Sequence, residues 1–249
     1  MSNTFARARY FLSNCVRLVS KPRCQRKITP EFVTTIFGCS FGDSGWHHIR
    51  QTLIEVDCDP HLPASKSTLA HFLRNFSPTS ISTLAGVHDE EPLPLFLYPW
   101  GTFHDGRMSI NKNAEQSRFC GPSSEKFIGE EFARTIALYQ QMRVTGYKPM
   151  KFPNSFICGT WLEALNGDRR FVVLQGNHRM AALSHLRTED IEVRTSRHSL
   201  ALVRESDLEN WPLVASGRCS ATHARRVFQL FFKQNGWHVA DLMGLKHSE

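Results

Sequence analysis

The sequence predicts an α+β protein in which a small mixed sheet packs against helices. Three observations support this fold class. Short apolar and β-branched runs, such as residues 171–174, are typical of buried strands. Longer stretches such as residues 122–146 have apolar residues at helical spacing. Hydrophobic residues make up 41% of the chain and charged residues 21%, which is typical of a folded domain with its own core.

The charge is concentrated at the amino terminus. Residues 1–27 contain seven Lys and Arg residues and no acid, which leaves 23 basic and 23 acidic residues in the rest of the chain. Phe5, Leu12, Val16 and Val19 lie near helical spacing in the same segment. The pattern predicts a basic amphipathic tail: a solvated arm, a targeting peptide, or an attachment to the anionic inner face of a membrane in an otherwise cytoplasmic protein. The neutral remainder does not favour a basic DNA-binding face.

Residues 28–92 predict an irregular, mainly helical N-terminal region. The glycines at 42 and 45 predict a turn before a helix that continues to about Glu55, with Asp43 or Ser44 as its cap. We expect His47 and His48 to be structural, because adjacent residues on a helix point in different directions and make a poor metal pair. The seven cysteines form no Cys-x-x-Cys pair. No metal site is therefore predicted.

Strands and helices alternate between residues 93 and 204. Prolines bracket the first strand, serines cap the long helix, and Gly146 ends it. Asn166-Gly167-Asp168 predicts a hairpin turn. The predicted elements, in chain order, are an edge strand at 93–100, a helix from about 123 to 145, strands at 155–162 and 171–174, a helix at 180–186 and a strand at 191–193.

Residues 205–249 predict a C-terminal helical extension. Ala224, Val227, Phe228 and Phe231 form one apolar stripe at helical spacing. A stripe of this kind is typical of core packing.

A chemically informative turn follows the apolar run at 171–174. Gly176 leads directly from the predicted strand into a helix, whose first-turn N–H groups have no partner within the helix and carry partial positive charge. Asn177, His178 and Arg179 add donors, and an arginine can bind two oxygens at once. The turn predicts a phosphate or nucleotide-phosphate site. The alternative is a turn in which glycine serves only the backbone geometry.

Two segments resemble the ParB/sulfiredoxin superfamily. Gly176-Asn177-His178-Arg179, followed by Ala181-Ala182, resembles that superfamily's Gly-x-x-Arg signature with its pair of alanines. Residues 113–118 resemble the Asn-x-x-Gln-Pro-Arg segment of ParB N-terminal domains, and the order of elements is similar over residues 93–200. The resemblance implies a ParB/sulfiredoxin-like phosphate-binding domain at 93–204. It also implies that Gln116 and Arg118 reach the same cleft as the glycine turn.

The resemblance implies a nucleotide ligand, ATP or another, since members of the superfamily bind nucleotide phosphates in this turn. The first hypothesis is a nucleotide-dependent phosphotransferase (a kinase) that acts on a small molecule or glycan precursor, with Mg²⁺ accompanying the nucleotide. His178, Glu163 and Asp168 are its catalytic candidates. Glu130 and Glu131 are further carboxylates, and the sequence does not choose among them.

Two other functions stay open from the sequence. One is a non-catalytic module that binds a nucleotide or a nucleic-acid backbone, and the other is a ParB-like nuclease. Sulfiredoxin chemistry is disfavoured, because Asn177 stands where sulfiredoxins have their catalytic cysteine. Partition-type DNA binding is disfavoured because the chain beyond the tail is neutral.

Overall fold

A computed structural model describes residues 25–102, 119–151, 156–197 and 199–245. Most of the predicted tail (residues 1–24), together with Gln116 and Arg118, lies outside the described residues. In the described ranges a mixed sheet packs against helices around one hydrophobic core, which confirms the α+β prediction. None of the helices in these ranges is long and apolar enough to cross a membrane.

The main sheet has the order β1-β7-β5-β6-β2, and β8 pairs with β5 beyond the end of β7. A separate small hairpin joins β3 and β4. The strands are β1 (Gln25–Ile28), β2 (Val33–Thr35), β3 (Leu97–Tyr98), β4 (Gly101–Thr102), β5 (Ile157–Glu163), β6 (Arg169–Gln175), β7 (Ile191–Thr195) and β8 (Leu202–Arg204).

Helices cover the sheet and connect its strands. The α-helices of the described ranges are α1 (His48–Cys58), α2 (Thr68–Asn75), α3 (Ile81–Leu84), α4 (Glu125–Thr145), α5 (Asn177–His185), α6 (Pro212–Ala215), α7 (Ala221–Lys233) and α8 (Trp237–Leu242). The predicted long helix is confirmed as α4, whose cap Ser124 accepts the amide of Phe127. The predicted C-terminal stripe is buried on α7.

The predicted hairpin is confirmed as β5 and β6, which lie in the interior of the main sheet. Phe171, Val172 and Val173 on β6 are fully buried, because strands line both sides of β6 and helices cover it. Gly159 lies at an irregularity in the β5–β6 register. The turn between the two strands has Gly167 at φ 88°, which favours glycine.

Two predicted elements are wrong in detail. The edge strand expected at 93–100 reduces to Leu97–Tyr98, because prolines cannot donate to a ladder and Phe96 adopts φ 68°. The helix α1 begins at His48 with His47 as its cap, in place of Asp43 or Ser44. The Asp43 carboxylate instead pairs with the Arg50 guanidinium.

β1 and β2 lie outside the strands that the sequence predicts. β1 contains Arg26 and Lys27, assigned above to the basic tail, and pairs antiparallel with β7. β2, assigned to the irregular region, pairs parallel with β6. Because β2 and β6 are parallel, their carboxyl ends lie at the same edge of the sheet. Loops that follow neighbouring parallel strands commonly enclose a ligand site.

Candidate functional site

A cavity of about 270 Å³ lies at the carboxyl ends of β2 and β6. Its volume lies just below the usual range for small-molecule sites, about 300–1,000 Å³. The wall combines cationic, imidazole and apolar groups from six segments of the chain. These residues are Thr35, Ile36, Phe37, Cys39, His47, His48, Ile49, Phe72, Phe119, Arg134, Leu138, Leu174, Gln175, Gly176, Asn177, His178 and Arg179.

The turn between β6 and α5 forms one part of this wall. Gly176 caps α5 with φ 102°, a left-handed conformation that L-residues rarely adopt. A Cβ atom at this position would lie 3.1 Å from Cγ1 and 3.2 Å from Cα of Ile157. The first-turn N–H groups of α5 have no hydrogen-bond partner within the helix. They carry partial positive charge at the helix end that faces the preceding loop. The predicted strand–glycine–helix turn is therefore present at the edge of a cavity.

Two guanidinium groups line the same cavity. Arg179 comes from the first turn of α5 and Arg134 from α4. Burial lowers the pKa of Arg179, and the positive charge of Arg134 acts in the same direction. Glu131 pairs with Arg134, and an anion in the cavity would offset the cost of the partly buried charge on Arg179. The charge arrangement therefore favours an anionic ligand.

A carboxylate and an imidazole meet beside these cations. The Oε2 atom of Glu131 lies 3.2 Å from Nε2 of His178 and also accepts a hydrogen bond from Arg134. Burial by itself raises the pKa of Glu131, but the hydrogen bonds from His178 and Arg134 outweigh it and lower the pKa to about 2. Glu131 is therefore ionised near neutral pH. Its negative charge holds the His178 ring at the amino terminus of α5.

Arg134 also contacts the ring of His178. Its Nη2 atom lies 3.1 Å from Nε2 and 3.3 Å from Nδ1 of the imidazole. Near-equal distances to both nitrogens place the guanidinium nitrogen against the ring face. One cluster therefore contains a carboxylate, an imidazole and a guanidinium group, and carboxylates and imidazoles are common participants in proton transfer.

A column of stacked rings forms another part of the wall. His47 stacks on Phe41 with ring centroids 4.2 Å apart, and His48 stacks on Phe72 at 3.7 Å. The two imidazoles stack on each other at 4.6 Å. This arrangement differs from the expected divergence of two helical neighbours, because His47 precedes α1 with extended backbone angles (φ −145°, ψ 122°).

Both stacked imidazoles are uncharged near neutral pH. Burial lowers the pKa of His47 to about 3, and the nearby His178 and Arg50 act in the same direction. Burial also lowers the pKa of His48 well below its ordinary range. Sequence reasoning assigned these residues a structural role and missed that they line a cavity. The sequence contains little signal for a cavity position, because the tertiary packing of α1 against α2 brings the two histidines to the cavity.

The predicted site residues that the structure describes lie in two separate parts of the fold. Gly176, Asn177, His178 and Arg179 line the cavity together. Glu163 ends β5 and pairs with Arg169 and Arg204, and Asp168 lies in the exposed hairpin turn. β5 has seven residues, so its ends are about 20 Å apart at about 3.3 Å per residue. The structure therefore does not bring these two carboxylates to the cavity. Glu130 is exposed on α4.

A second cluster resembles a serine–histidine–acid arrangement. The Ser82 hydroxyl lies 2.8 Å from Nε2 of His223, whose Nδ1 lies 3.4 Å from a carboxylate oxygen of Glu90. Ser82 is 0% exposed and its oxygen accepts the Leu93 amide. A substrate cannot reach a hydroxyl buried in this way. The cluster instead joins the segment around α3 to α7.

The donor groups near α5 do not fit a metal held by the protein. Among the described residues, no group of three or more His, Cys, Asp or Glu side chains is arranged to hold a metal ion. The carboxylate of Glu131 is already bonded to His178 and Arg134. A Mg²⁺ ion would therefore need the phosphates of a nucleotide as its ligands.

Comparison with models of protein families and with curated proteins gives no match to the chain. The resemblance to the ParB/sulfiredoxin superfamily thus stays a prediction that rests on the residues quoted above. What the structure itself defines is an α+β protein with a cavity at the carboxyl ends of two parallel strands, lined by two guanidinium groups, three imidazoles and apolar residues.

Proposed function

We propose that the chain is a ParB/sulfiredoxin-like protein that binds a nucleotide, with the phosphate groups at the amino terminus of α5. One observation carries the proposal: the helix terminus at Gly176 and the guanidinium groups of Arg134 and Arg179 line the same cavity. Helix termini and arginines are the usual phosphate ligands of proteins, and together they favour a ligand with more than one negative charge. ATP and CTP are suitable probes.

Replacement of Arg179 by alanine tests this proposal. We expect the variant to bind ATP or CTP more weakly by about 1.5–3 kcal/mol, the usual contribution of a hydrogen bond to a charged group. Isothermal titration calorimetry near neutral pH measures the change. Arg218→Ala is the matched control, because Arg218 is exposed and does not line the cavity. Equal affinity of Arg179→Ala and the wild-type protein, with both folded, would contradict the proposed site.

A phosphotransferase acting on a small molecule or glycan precursor is a second candidate function. The pairing of Glu131 with His178 at the helix terminus favours it, since His178 can take a proton from an acceptor hydroxyl while Glu131 orients the ring and stabilises its charged form. Nucleotide binding without turnover would instead indicate a non-catalytic nucleotide-binding module. A measurement of nucleotide hydrolysis and phosphoryl transfer separates the two.

Glu131→Gln tests whether this pair takes part in turnover. Glutamine has nearly the same shape but carries no charge, so we expect kcat to fall about 100-fold or more, within the usual range for acid–base catalysis, while KM changes little. The acidic limb of the pH–rate profile should also move, which a purely structural role for Glu131 would not produce. Glu130→Gln is the control on the same helix. Unchanged kcat in Glu131→Gln would exclude the pair from the mechanism.

The location of the protein belongs to the same proposal. A cytoplasmic protein whose basic tail contacts anionic lipid would be close to membrane-linked substrates, because each basic group near such a surface contributes on the order of 1 kcal/mol. The seven basic residues of the segment 1–27 motivate this part of the proposal. Most of that segment lies outside the described residues.

A further inference from the structure

The cavity contains polar groups that the binding of phosphate does not use. His47 and His48 line it, are 2% and 8% exposed respectively, and belong to α1 and its cap, away from the β6–α5 turn in sequence. Nε2 of His47 and Nδ1 of His48 are buried without a hydrogen-bond partner among the described residues. Buried polar atoms in folded proteins are nearly always paired, because an unpaired one costs about 1–3 kcal/mol.

The hydrogen bond at the start of α1 defines what His47 offers. Nδ1 of His47 accepts the amide hydrogen of Ile49 at 3.2 Å, so this nitrogen carries no proton. A neutral imidazole has one N–H, which must then be on Nε2. The unpaired atom of His47 is therefore a hydrogen-bond donor.

Ring packing limits how a ligand can meet these histidines. Phe41 covers one face of His47, Phe72 covers one face of His48, and the two imidazoles cover each other. No face is left for stacking, so only the ring edges can contact a ligand. The histidines therefore act by hydrogen bonding. Because burial lowers the pKa of both, they act as neutral groups.

Part of the wall is formed by apolar residues. Phe37, Phe72, Phe119 and Leu138 line the cavity. A sugar carries hydroxyl groups around its whole surface and would leave several unpaired against such a wall. A planar heteroaromatic ring has apolar faces and a polar edge, and it matches both the apolar side chains and the imidazole edges.

We infer that His47 and His48 form a nucleobase subsite, in which their ring edges hydrogen-bond to the polar edge of the base while apolar side chains contact its faces. This inference rests on the proposed function, because it places the base of the nucleotide whose phosphates bind at Gly176–Arg179. The donor on His47 requires an acceptor on the base, a carbonyl oxygen or a ring nitrogen. His47 and His48 are then specificity-determining residues of the cavity.

Comparison of a nucleotide with its phosphate part alone tests the inference. Inorganic tripolyphosphate, ribose 5-phosphate and the four common nucleoside triphosphates are titrated into the full chain by calorimetry. The variants are His47→Phe and His48→Phe, which keep a ring in the stack and remove the ring nitrogens. His61→Phe is the control, because His61 is exposed and lies in a loop. Urea unfolding at pH 8 verifies that each variant is folded.

We expect the wild-type protein to bind at least one nucleoside triphosphate more tightly than tripolyphosphate. In each of the two cavity variants the affinity for that nucleotide should fall about three- to tenfold, the usual effect of one lost neutral hydrogen bond. The affinity for tripolyphosphate should stay unchanged, and the control should behave as wild type.

Three outcomes would overturn the subsite. They are unchanged nucleotide affinity in both variants, a parallel loss of nucleotide and tripolyphosphate affinity in folded variants, and wild-type protein that binds tripolyphosphate as tightly as every nucleotide. The last of these leaves the phosphate site intact. Failure of the wild-type protein to bind any phosphate compound would instead contradict the proposed function itself.

Discussion

Lowering the pH from 8 to 5 is expected to reduce the free energy of unfolding by about 4 kcal/mol through two buried neutral imidazoles, His47 and His48. His238, whose pKa burial also lowers, adds a loss of the same sign. His47 and His48 are buried, and the rings of Phe41 and Phe72 stack on their outer faces. Burial lowers the pKa of His47 to about 3 and lowers that of His48 well below its ordinary range. In the unfolded chain both return to about 6.5.

The direction of this pH dependence follows from proton uptake. Below about pH 6.5 the unfolded chain binds protons at these two positions and the folded protein does not, so acid favours unfolding. Above that pH both states have neutral rings and the effect disappears. Each histidine that stays neutral in the folded protein reduces the free energy of unfolding by about 2 kcal/mol at pH 5, so two such histidines reduce it by about 4 kcal/mol. The ionised Glu131 adds a loss of the same sign only at lower pH, because its pKa of about 2 lies below the ordinary value of 4.5.

Urea unfolding between pH 8 and pH 5 measures this dependence. His48→Phe should reduce the acid-induced loss by about half, since phenylalanine continues the stack on Phe72 and binds no proton. His61→Phe replaces an exposed histidine and is the control. A wild-type stability that stays constant over this range, or an equal acid-induced loss in His48→Phe, would show that the two histidines are not held neutral.

The parts of the fold that the sequence predicts correctly have local causes. Asn166-Gly167-Asp168 specifies its hairpin because the turn needs a positive φ at Gly167. Gly176 predicts the entry to α5 for the same reason, with φ 102°. Ser124 and Gly146 bound α4 through their own capping interactions. Each of these signals lies within a few residues of the structure that it determines.

β1 and β2 were not predictable in this way. The four residues Gln25–Ile28 include two basic side chains and form a strand only because β7 presents a free edge. The three residues of β2 are too few to show a period of two, and their partner β6 is more than a hundred residues away in sequence. Strand pairing of this kind is set by tertiary packing.

The residues of the candidate site also differ in whether a local sequence signal identifies them. Gly176 to Arg179 could be identified from sequence, because a strand, a glycine and a helix start are consecutive. Glu131 and Arg134 are three residues apart and therefore share one face of α4, but no local signal shows that this face packs against α5. His47 was misplaced for a related reason: its sequence position fits a helical residue, whereas its side chain caps α1 and joins the stack.

The second large effect is expected at Gly159, in the β5 strand that supports the site. A Cβ atom there would lie 2.1 Å from the backbone oxygen of Val172 and 2.8 Å from ring atoms of Phe171. Both obstacles belong to fully buried residues of the neighbouring strand β6, so β5 and β6 would have to separate. We expect Gly159→Ala to lose at least about 3 kcal/mol of unfolding free energy, near the upper limit for overpacking.

A glycine-to-alanine change on α4, Gly129→Ala, should instead increase the free energy of unfolding. Gly129 has no atom within 4 Å of a Cβ added to it, and alanine in a helix interior is more stable than glycine by about 0.5–1 kcal/mol. Urea unfolding of both variants at pH 8 compares them directly. Because β6 continues through Gly176 into α5, any folded fraction of Gly159→Ala should also bind nucleotide more weakly, while Gly129→Ala should bind it as wild type does. A Gly159→Ala protein within about 1 kcal/mol of wild type would contradict the predicted steric conflict between β5 and β6.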